Sequence, residues 1–310
     1  MGIFFALLAG LFMPLTNLTV RKSIDIGGTS KGYFVFQALS SFLFALLIGP
    51  VWTGHFTWSF PSLFLGVGAG FILSFMLFAV GRAVEKGPPG FTFAVLNSAT
   101  VMPGLLMALF LGAGFGYEYK LWHAIGSLVV LVGLFLGAKG LGGMKDRKQW
   151  LFFASLMFFF HILLLALYQW RGMLLSDHRP KGAFPFFALE KMQNECFTPF
   201  MFLTSVVIQF FVYLRSQKRL PLIGEVSYGF AGGLSNLLCT FFLLLAAEKA
   251  GPLEHAVIFP IFSVIGIVLT NAWGQALYQE QVNWRACQVC VFGLILGTVD
   301  WTGVAAAIGF

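Results

Sequence analysis

Charge is scarce in this sequence. Only 10% of its 310 residues are Asp, Glu, Lys or Arg, whereas 58% are hydrophobic. Soluble domains carry about 25% charged residues, so this chain has too little polar surface to cover a water-soluble globule. Disorder is excluded as well, because disordered chains combine low hydrophobicity with high charge. The composition therefore predicts an all-α integral membrane protein, since helices satisfy their own backbone hydrogen bonds in lipid.

The sequence also has few residues for covalent or metal chemistry. Its four cysteines are too few for a disulfide scaffold. Cys287 and Cys290 form a C-x-x-C inside an apolar segment without a neighbouring His or acid, which favours small residues on a helix face over a metal or redox site. The chain has no H-E-x-x-H and no phosphate-binding G-x-x-x-x-G-K-[ST]. We therefore predict no catalytic residues, no metal and no cofactor.

The net charge of +7 does not indicate nucleic acid. Most of the 19 Lys and Arg residues lie in short gaps between apolar runs, as they do in the cytoplasmic loops of membrane proteins. The partner that this pattern predicts is the lipid bilayer. The basic residues concentrate on the side opposite the N-terminus, which predicts that both termini face outward. Because no basic segment precedes it, we interpret Met1 to Val20 as a retained first helix.

Ten apolar segments are long enough for a bilayer core of about 30 Å. We expect transmembrane helices over residues 2–20, 32–51, 61–82, 88–112, 121–138, 149–170, 196–214, 226–247, 252–275 and 285–308. One long connection, Arg171 to Glu195, is expected to be an exposed loop.

Two sequence matches indicate an internal repeat. Residues 83–89 (AVEKGPP) resemble residues 246–252 (AAEKAGP), and residues 132–137 (VGLFLG) resemble residues 292–297 (FGLILG). Each pair has the same ordinal position in its half, so we predict two five-helix repeats over residues 1–142 and 143–310. Because five is odd, the second repeat must be inverted, as in many secondary transporters. Chance similarity between short Gly-rich strings is the alternative.

These repeats resemble the drug/metabolite transporter superfamily, as does the Ala-Leu-Leu-Ala-Gly run at residues 6–10 followed by Asn17 and Arg21. Within it, the basic first loop and the basic link at residues 145–148 look more like sugar-uptake permeases. The resemblance implies a substrate cavity between helices 1–4 and 6–9, with helices 5 and 10 peripheral. No sugar-binding motif matches residue by residue.

Polar groups at bilayer depth need a partner, a cavity or water. The residues of this kind that we predict to bind substrate are Asn17, Gln37, Ser74, Asn97, His161, Tyr168, Gln209, Asn236, Ser263 and Asn271. Serines can instead bond back to their own helix, and amides can simply join helices. His161 could bond a substrate hydroxyl, shuttle a proton, or be a buried neutral histidine.

The expected function is alternating-access transport of a small polar organic metabolite across the inner membrane by a multi-pass protein. Uptake of a sugar-like solute is the first candidate. Exchange of S-adenosylmethionine, S-adenosylhomocysteine or an amino acid is the second. An intramembrane enzyme is the alternative of another class. Helices 5 and 10 are a candidate homodimer surface.

Overall fold

A computed structural model describes residues 1–57, 59–87, 89–110, 119–138, 146–175, 195–251, 254–279, 283–298 and 301. Within these ranges the chain forms helices and no strand, as the composition predicts. The α-helices are α1 Gly2–Asp25, α2 Ser30–Leu46, α3 Phe60–Lys86, α4 Pro89–Ser98, α5 Met102–Phe110, α6 Leu121–Ala138, α7 Arg147–Leu175, α8 Phe197–Ser216, α9 Ile223–Lys249, α10 Ile258–Tyr278 and α11 Trp284–Thr298.

Among the described residues, seven helices are long and apolar enough to cross a membrane, namely α1, α2 with its continuation to Val51, α3, α7, α8, α9 and α10. This is the architecture of a multi-pass membrane protein. The other three predicted segments also hold helices, α4 with α5, α6, and α11. Residues 299–300 and 302–308 of the tenth predicted segment, and residues 176–194 of the predicted loop, lie outside the described residues.

Local sequence sets several helix ends. Thr29 caps α2, because its hydroxyl accepts a hydrogen bond from the Gly32 N–H at 3.1 Å. Ser59 caps α3 in the same way, and Pro61 stands in the first turn, where no intrahelical donor is needed. After α1, Gly27 takes a positive φ of 86° and turns the chain toward α2.

The helices pack mainly across the two halves of the sequence. α9 lies against α1 and α2, and α3 lies against α7 and α8, while α6 and α11 form a pair of their own. Glycines allow the closest approaches. A Cβ on Gly126 of α6 would lie 2.5 Å from the Cα of Gly297 on α11, and a Cβ on Gly70 of α3 would lie 2.5 Å from the Met201 carbonyl oxygen on α8. Small residues thus permit close packing without help from the hydrophobic effect in lipid.

The fourth predicted segment, 88–112, is broken in its middle. A 3₁₀ turn at Ala99–Val101 separates α4 from α5. Pro103 explains the break, because it has no N–H to donate to the Ala99 carbonyl four residues earlier.

Candidate functional site

A central cavity of about 110 Å³ lies between α1, α2, α3, α4, α7, α9 and α10. Six of the predicted site residues line it together, namely Asn17, Gln37, Asn97, His161, Tyr168 and Asn236. Two further polar residues, Thr16 and Thr240, also line it and were missed in the sequence. Thr16 directly precedes Asn17 in α1, and this position beside a predicted site residue is the sequence signal that could have identified it.

Four cavity residues carry buried polar atoms that have no hydrogen-bond partner in the described parts of the chain. These atoms are Thr16 Oγ1, Asn17 Nδ2, Gln37 Oε1 and Asn97 Oδ1. An unsatisfied buried donor or acceptor costs about 1–3 kcal/mol. The set includes an amide donor, two carbonyl acceptors and a hydroxyl. Groups that both donate and accept, such as water or a ligand hydroxyl, can satisfy it.

His161 is fixed in the cavity wall by a backbone contact. Its Nδ1 lies 2.7 Å from the Leu96 carbonyl oxygen on α4. A carbonyl can only accept, so Nδ1 carries the proton, and Nε2 of the neutral ring is then an acceptor. The histidine therefore ties α7 to α4 and also offers one acceptor.

The helix break reaches the cavity wall at Asn97. The Asn97 carbonyl accepts hydrogen bonds from the Thr100 hydroxyl at 2.6 Å and from the Ser263 hydroxyl of α10 at 2.9 Å. These hydroxyls stabilise the carbonyl at the break, and the Asn97 side chain is left at the cavity. Interrupted membrane helices of this kind commonly mark binding sites.

The remaining four predicted residues do not line this cavity. The Ser74 hydroxyl bonds to the Gly70 carbonyl of its own helix at 2.7 Å, and Gln209 donates to the Ser74 carbonyl at 2.9 Å. Ser263 supports Asn97, and Asn271 Nδ2 lies 3.1 Å from the Cys287 sulfur on α11. For Ser74 the bond matches the alternative in which a serine bonds to its own helix, and for Gln209 and Asn271 the bonds match the alternative in which an amide joins helices. Ser263 instead joins α10 to the break after α4.

The residues that line the central cavity include no Asp, Glu, Lys or Arg. Apolar and aromatic side chains complete its wall, among them Met13, Phe34, Phe93 and Phe262. In the described ranges, no group of three or more His, Cys, Asp or Glu residues is placed to hold a metal ion. The chemistry on offer is neutral hydrogen bonding beside aromatic faces.

A second cavity, of about 240 Å³, lies at the end of the bundle where α7 and α9 finish. Its wall is mostly apolar and includes Arg171, Glu195 and Glu248. Arg171 was assigned to the exposed loop in the sequence, but it is buried in the last turns of α7. The sequence signal for this buried arginine is its position as a single charge directly after the apolar run of α7.

No family model matches the chain, and no curated protein matches it. A solved structure described as "Crystal structure of protein" is similar over 100% of this chain and 99% of that chain. Its TM-score is 0.69 and its identity is 14%. This likeness shows that the whole chain shares a fold with a solved structure, and it says nothing of function.

Proposed function

We propose that the chain is a secondary or facilitative carrier that moves a small, neutral, polyhydroxylated solute of the sugar class across the inner membrane by alternating access. The observation that carries the proposal is the central cavity, which is lined by no charged residue and has donors and acceptors without a partner in the described residues. Hydroxyl groups suit such a set because each one both donates and accepts. The solute is the partner in this proposal, and no catalytic step is involved.

The helix packing supports an inverted repeat of two five-helix halves, in which α4 and α5 together count as one segment. Exchanging the halves turns the pair α1–α9 into α7–α3, and the pair α2–α9 into α8–α3, and all of these pairs are present. The pair α1–α10 becomes α7–α4, which is also present, and α2–α8, α4–α10 and α6–α11 map onto themselves. Two similar halves give two similar closed states, one toward each side.

The matched Glu-Lys sequences add to this support, because they end equivalent helices. Lys86 ends α3 and Lys249 ends α9. The resemblance to the drug/metabolite transporter superfamily agrees with the same proposal. The candidate dimer through helices 5 and 10 stays a prediction, in which the faces of α6 and α11 away from their mutual contact would be used.

The size of the central cavity bears on the transport cycle. Small-molecule pockets usually measure about 300–1,000 Å³, whereas this one is about 110 Å³. A monosaccharide therefore requires the helices around the cavity to separate. Such separation is what alternating access provides, and in this proposal the structure represents a contracted state of the cycle.

The uncharged wall also weighs against the second substrate class. S-adenosylmethionine and amino acids carry a carboxylate and an ammonium group, and burying these without opposite charges is costly. The cavity offers aromatic faces that would suit an adenine, but no charged group. The sugar class is accordingly the better fit.

Thermal unfolding of the detergent-purified chain against a ligand panel tests the proposal. The panel holds D-glucose, L-rhamnose, adenosine, S-adenosylmethionine, S-adenosylhomocysteine and phenylalanine. A ligand that binds only the folded state adds about 2.7 kcal/mol at a hundredfold excess over its Kd. We expect stabilisation by a monosaccharide, lost in Asn97→Ala and in His161→Ala.

Gln209→Ala is the matched control, because its amide joins α8 to α3 outside the cavity. It should keep the ligand response of the wild type. Stabilisation by a charged ligand alone would contradict the proposed substrate class. A response that survives both cavity substitutions would contradict the proposed site.

A further inference from the structure

The second cavity has the features of a lipid site. It lies beside the last turns of α7 and α9, which pack so closely that a Cβ on Gly172 would lie 2.5 Å from the Ala247 carbonyl oxygen. Apolar residues of α2, of its continuation to Val51 and of α9 form most of its wall, among them Ala45, Ile48, Leu237, Leu238, Phe241 and Leu245. No residue lines both this cavity and the central one, although α9 contributes to the wall of each.

Arg171 is the unusual residue of this cavity. Only 3% of its surface is exposed, and its guanidinium lies 4.6 Å from the centre of the Phe197 ring. Its Nε and Nη1 have no hydrogen-bond acceptor in the described part of the chain. A guanidinium stays charged, and a buried donor without an acceptor costs about 1–3 kcal/mol. Glu248 lies in the same wall, but no described oxygen accepts from these two nitrogens.

The position of Arg171 along its helix places an acceptor for these two nitrogens at the membrane boundary. α7 has 29 residues, so it is about 43 Å long at 1.5 Å per residue. The hydrocarbon core is about 30 Å thick, so about 13 Å of the helix extends beyond it, divided between the basic first turn at Arg147 and Lys148 and the last turn. Arg171 stands four residues before the end of α7 and therefore lies at the level of lipid headgroups.

The apolar wall continues outward from this level. Ile48 and Phe241 line the cavity and remain 49% and 43% exposed. On membrane-spanning helices, exposed apolar side chains face lipid. The cavity thus opens toward the hydrocarbon, and an acyl chain can follow α9 from Leu245 past Phe241 and Leu238.

Two carboxylates of the wall decide which headgroup fits. Glu195 Oε2 accepts the Thr57 hydroxyl at 2.5 Å, and Glu248 Oε1 lies 3.4 Å from Lys249 Nζ. The wall thus carries both signs of charge, the Arg171 guanidinium and two carboxylates. A headgroup with a phosphate and an ammonium complements both signs, whereas a headgroup with only negative charge complements the guanidinium alone.

We propose that this cavity binds a membrane phospholipid of the phosphatidylethanolamine class. The lipid phosphate accepts hydrogen bonds from Arg171, the primary ammonium faces Glu195 and Glu248, and one acyl chain lies along α9. The site is separate from the solute cavity and does not depend on the proposed transport. It assigns a role to the two guanidinium nitrogens that have no acceptor among the described residues.

Lipid binding to the delipidated, detergent-purified chain tests this proposal by native mass spectrometry and thermal unfolding. The probes are phosphatidylethanolamine, phosphatidylglycerol and phosphatidylcholine with identical acyl chains, together with soluble phosphoethanolamine. We expect phosphatidylethanolamine to bind about tenfold more tightly than phosphatidylglycerol, because only its ammonium can form a charge-assisted hydrogen bond with the carboxylates. Phosphatidylcholine should bind more weakly than phosphatidylethanolamine, because its ammonium cannot donate hydrogen bonds.

Two substitutions separate the site from general lipid adsorption. Arg171→Gln should weaken phosphatidylethanolamine binding at least about tenfold. Leu238→Trp, which fills the apolar part and keeps the arginine, should weaken it as well. Arg215→Gln is the matched control, because Arg215 also stands near a helix end and 4.4 Å from a phenylalanine ring, but is exposed.

Three results would overturn the proposal. One is equal binding of phosphatidylethanolamine by the wild type and by Arg171→Gln. Another is a preference for phosphatidylglycerol. The third is binding of soluble phosphoethanolamine as tight as that of the lipid, which would make the cavity a site for a water-soluble solute.

Discussion

Two buried charges at opposite ends of the bundle have contrasting surroundings. Glu225, at the start of α9, accepts hydrogen bonds from the Thr29 N–H and hydroxyl, from the Leu222 N–H and from both terminal nitrogens of Arg219, at 2.6–3.1 Å. Arg171, beside the other end of α9, has two buried nitrogens without an acceptor among the described residues. A carboxylate with this many donors holds the loop between α8 and α9 against the start of α2.

The difference distinguishes polar groups that hold helices together from the groups for which we propose ligands. Glu225 has its hydrogen-bond partners within the described residues, so it holds helices together. Arg171 and three amides of the central cavity have polar atoms without a partner in those residues, and our two proposals supply one for each. The same contrast exists between two glutamines, since Gln209 donates across helices while Gln37 Oε1 has no partner in the described ranges.

The largest expected effect is at the satisfied charge. Glu225→Gln should lower the free energy of unfolding by about 3 kcal/mol, because the buried amide loses the negative charge and one acceptor oxygen that its donors share, and hydrogen bonds to a charged group are worth about 1.5–3 kcal/mol. Glu85→Gln is the control, since Glu85 pairs with Arg82 at 3.4 Å in a partly exposed setting worth about 0–1 kcal/mol. Thermal unfolding in detergent measures both. Equal losses in the two variants would contradict the structural role of Glu225.

A pH effect is expected at the end of the bundle that holds Arg171. Burial lowers the pKa of His255, between α9 and α10, from 6.5 to about 4. The folded state thus disfavours the protonated ring. The stabilisation is complete above pH 6.5 and is lost as the pH falls toward 4. Between pH 7 and pH 5 the free energy of unfolding should fall by about 2 kcal/mol.

His255→Phe should reduce this pH dependence by about that amount, because it keeps an aromatic ring and removes one titrating group. His55→Gln, at an exposed position, is the control and should leave the slope unchanged. Unfolding midpoints measured from pH 7 to pH 5 decide the point. A His255→Phe variant with the wild-type slope would show that another group is responsible.

The unsatisfied charge should respond with the opposite sign. In detergent without phospholipid, Arg171→Met should raise the free energy of unfolding by about 1 kcal/mol, because it removes two buried nitrogens that have no acceptor among the described residues. Arg215→Met should change it little, since Arg215 is exposed. Thermal unfolding of the delipidated variants is the measurement. Destabilisation by Arg171→Met under these conditions would mean that the chain itself satisfies the guanidinium.

The smallest effects separate the two glutamines. Gln209→Leu should cost about 0.6 kcal/mol of stability, typical of an interhelical bond in a membrane, and should leave solute binding unchanged. Gln37→Leu should leave stability unchanged and weaken solute binding about tenfold, through the loss of one hydrogen bond. Thermal unfolding and ligand titration of the same samples compare the stability and the solute affinity of the two variants. Equal effects on binding would place both residues, or neither, at the site.

The helical part of this fold follows well from the sequence. The segment predicted at residues 121–138 is α6, because an uninterrupted apolar run leaves the backbone no alternative in lipid. The break between α4 and α5 was not predicted. Pro103 alone does not predict it, since Pro14 lies inside α1 without ending it.

The candidate site follows from the sequence only in part. Polarity at bilayer depth selected Asn17, Gln37 and Asn97 as well as Gln209. Whether each amide has hydrogen-bond partners depends on helices that are distant in sequence. The pattern of residues along its own helix does not predict these contacts. Arg171 and Glu225 stand at segment ends, where a charge is ordinary, so their burial was not visible in the sequence.

Solute counterflow in proteoliposomes tests the proposed transport most directly. Vesicles loaded with an unlabelled monosaccharide are diluted into trace labelled D-glucose or L-rhamnose. We expect labelled sugar to accumulate transiently above its equilibrium level, to stop doing so in Asn97→Ala, and to persist in Gln209→Leu. Entry of both sugars at the rate of protein-free vesicles would contradict the proposal that this chain carries a sugar-like solute.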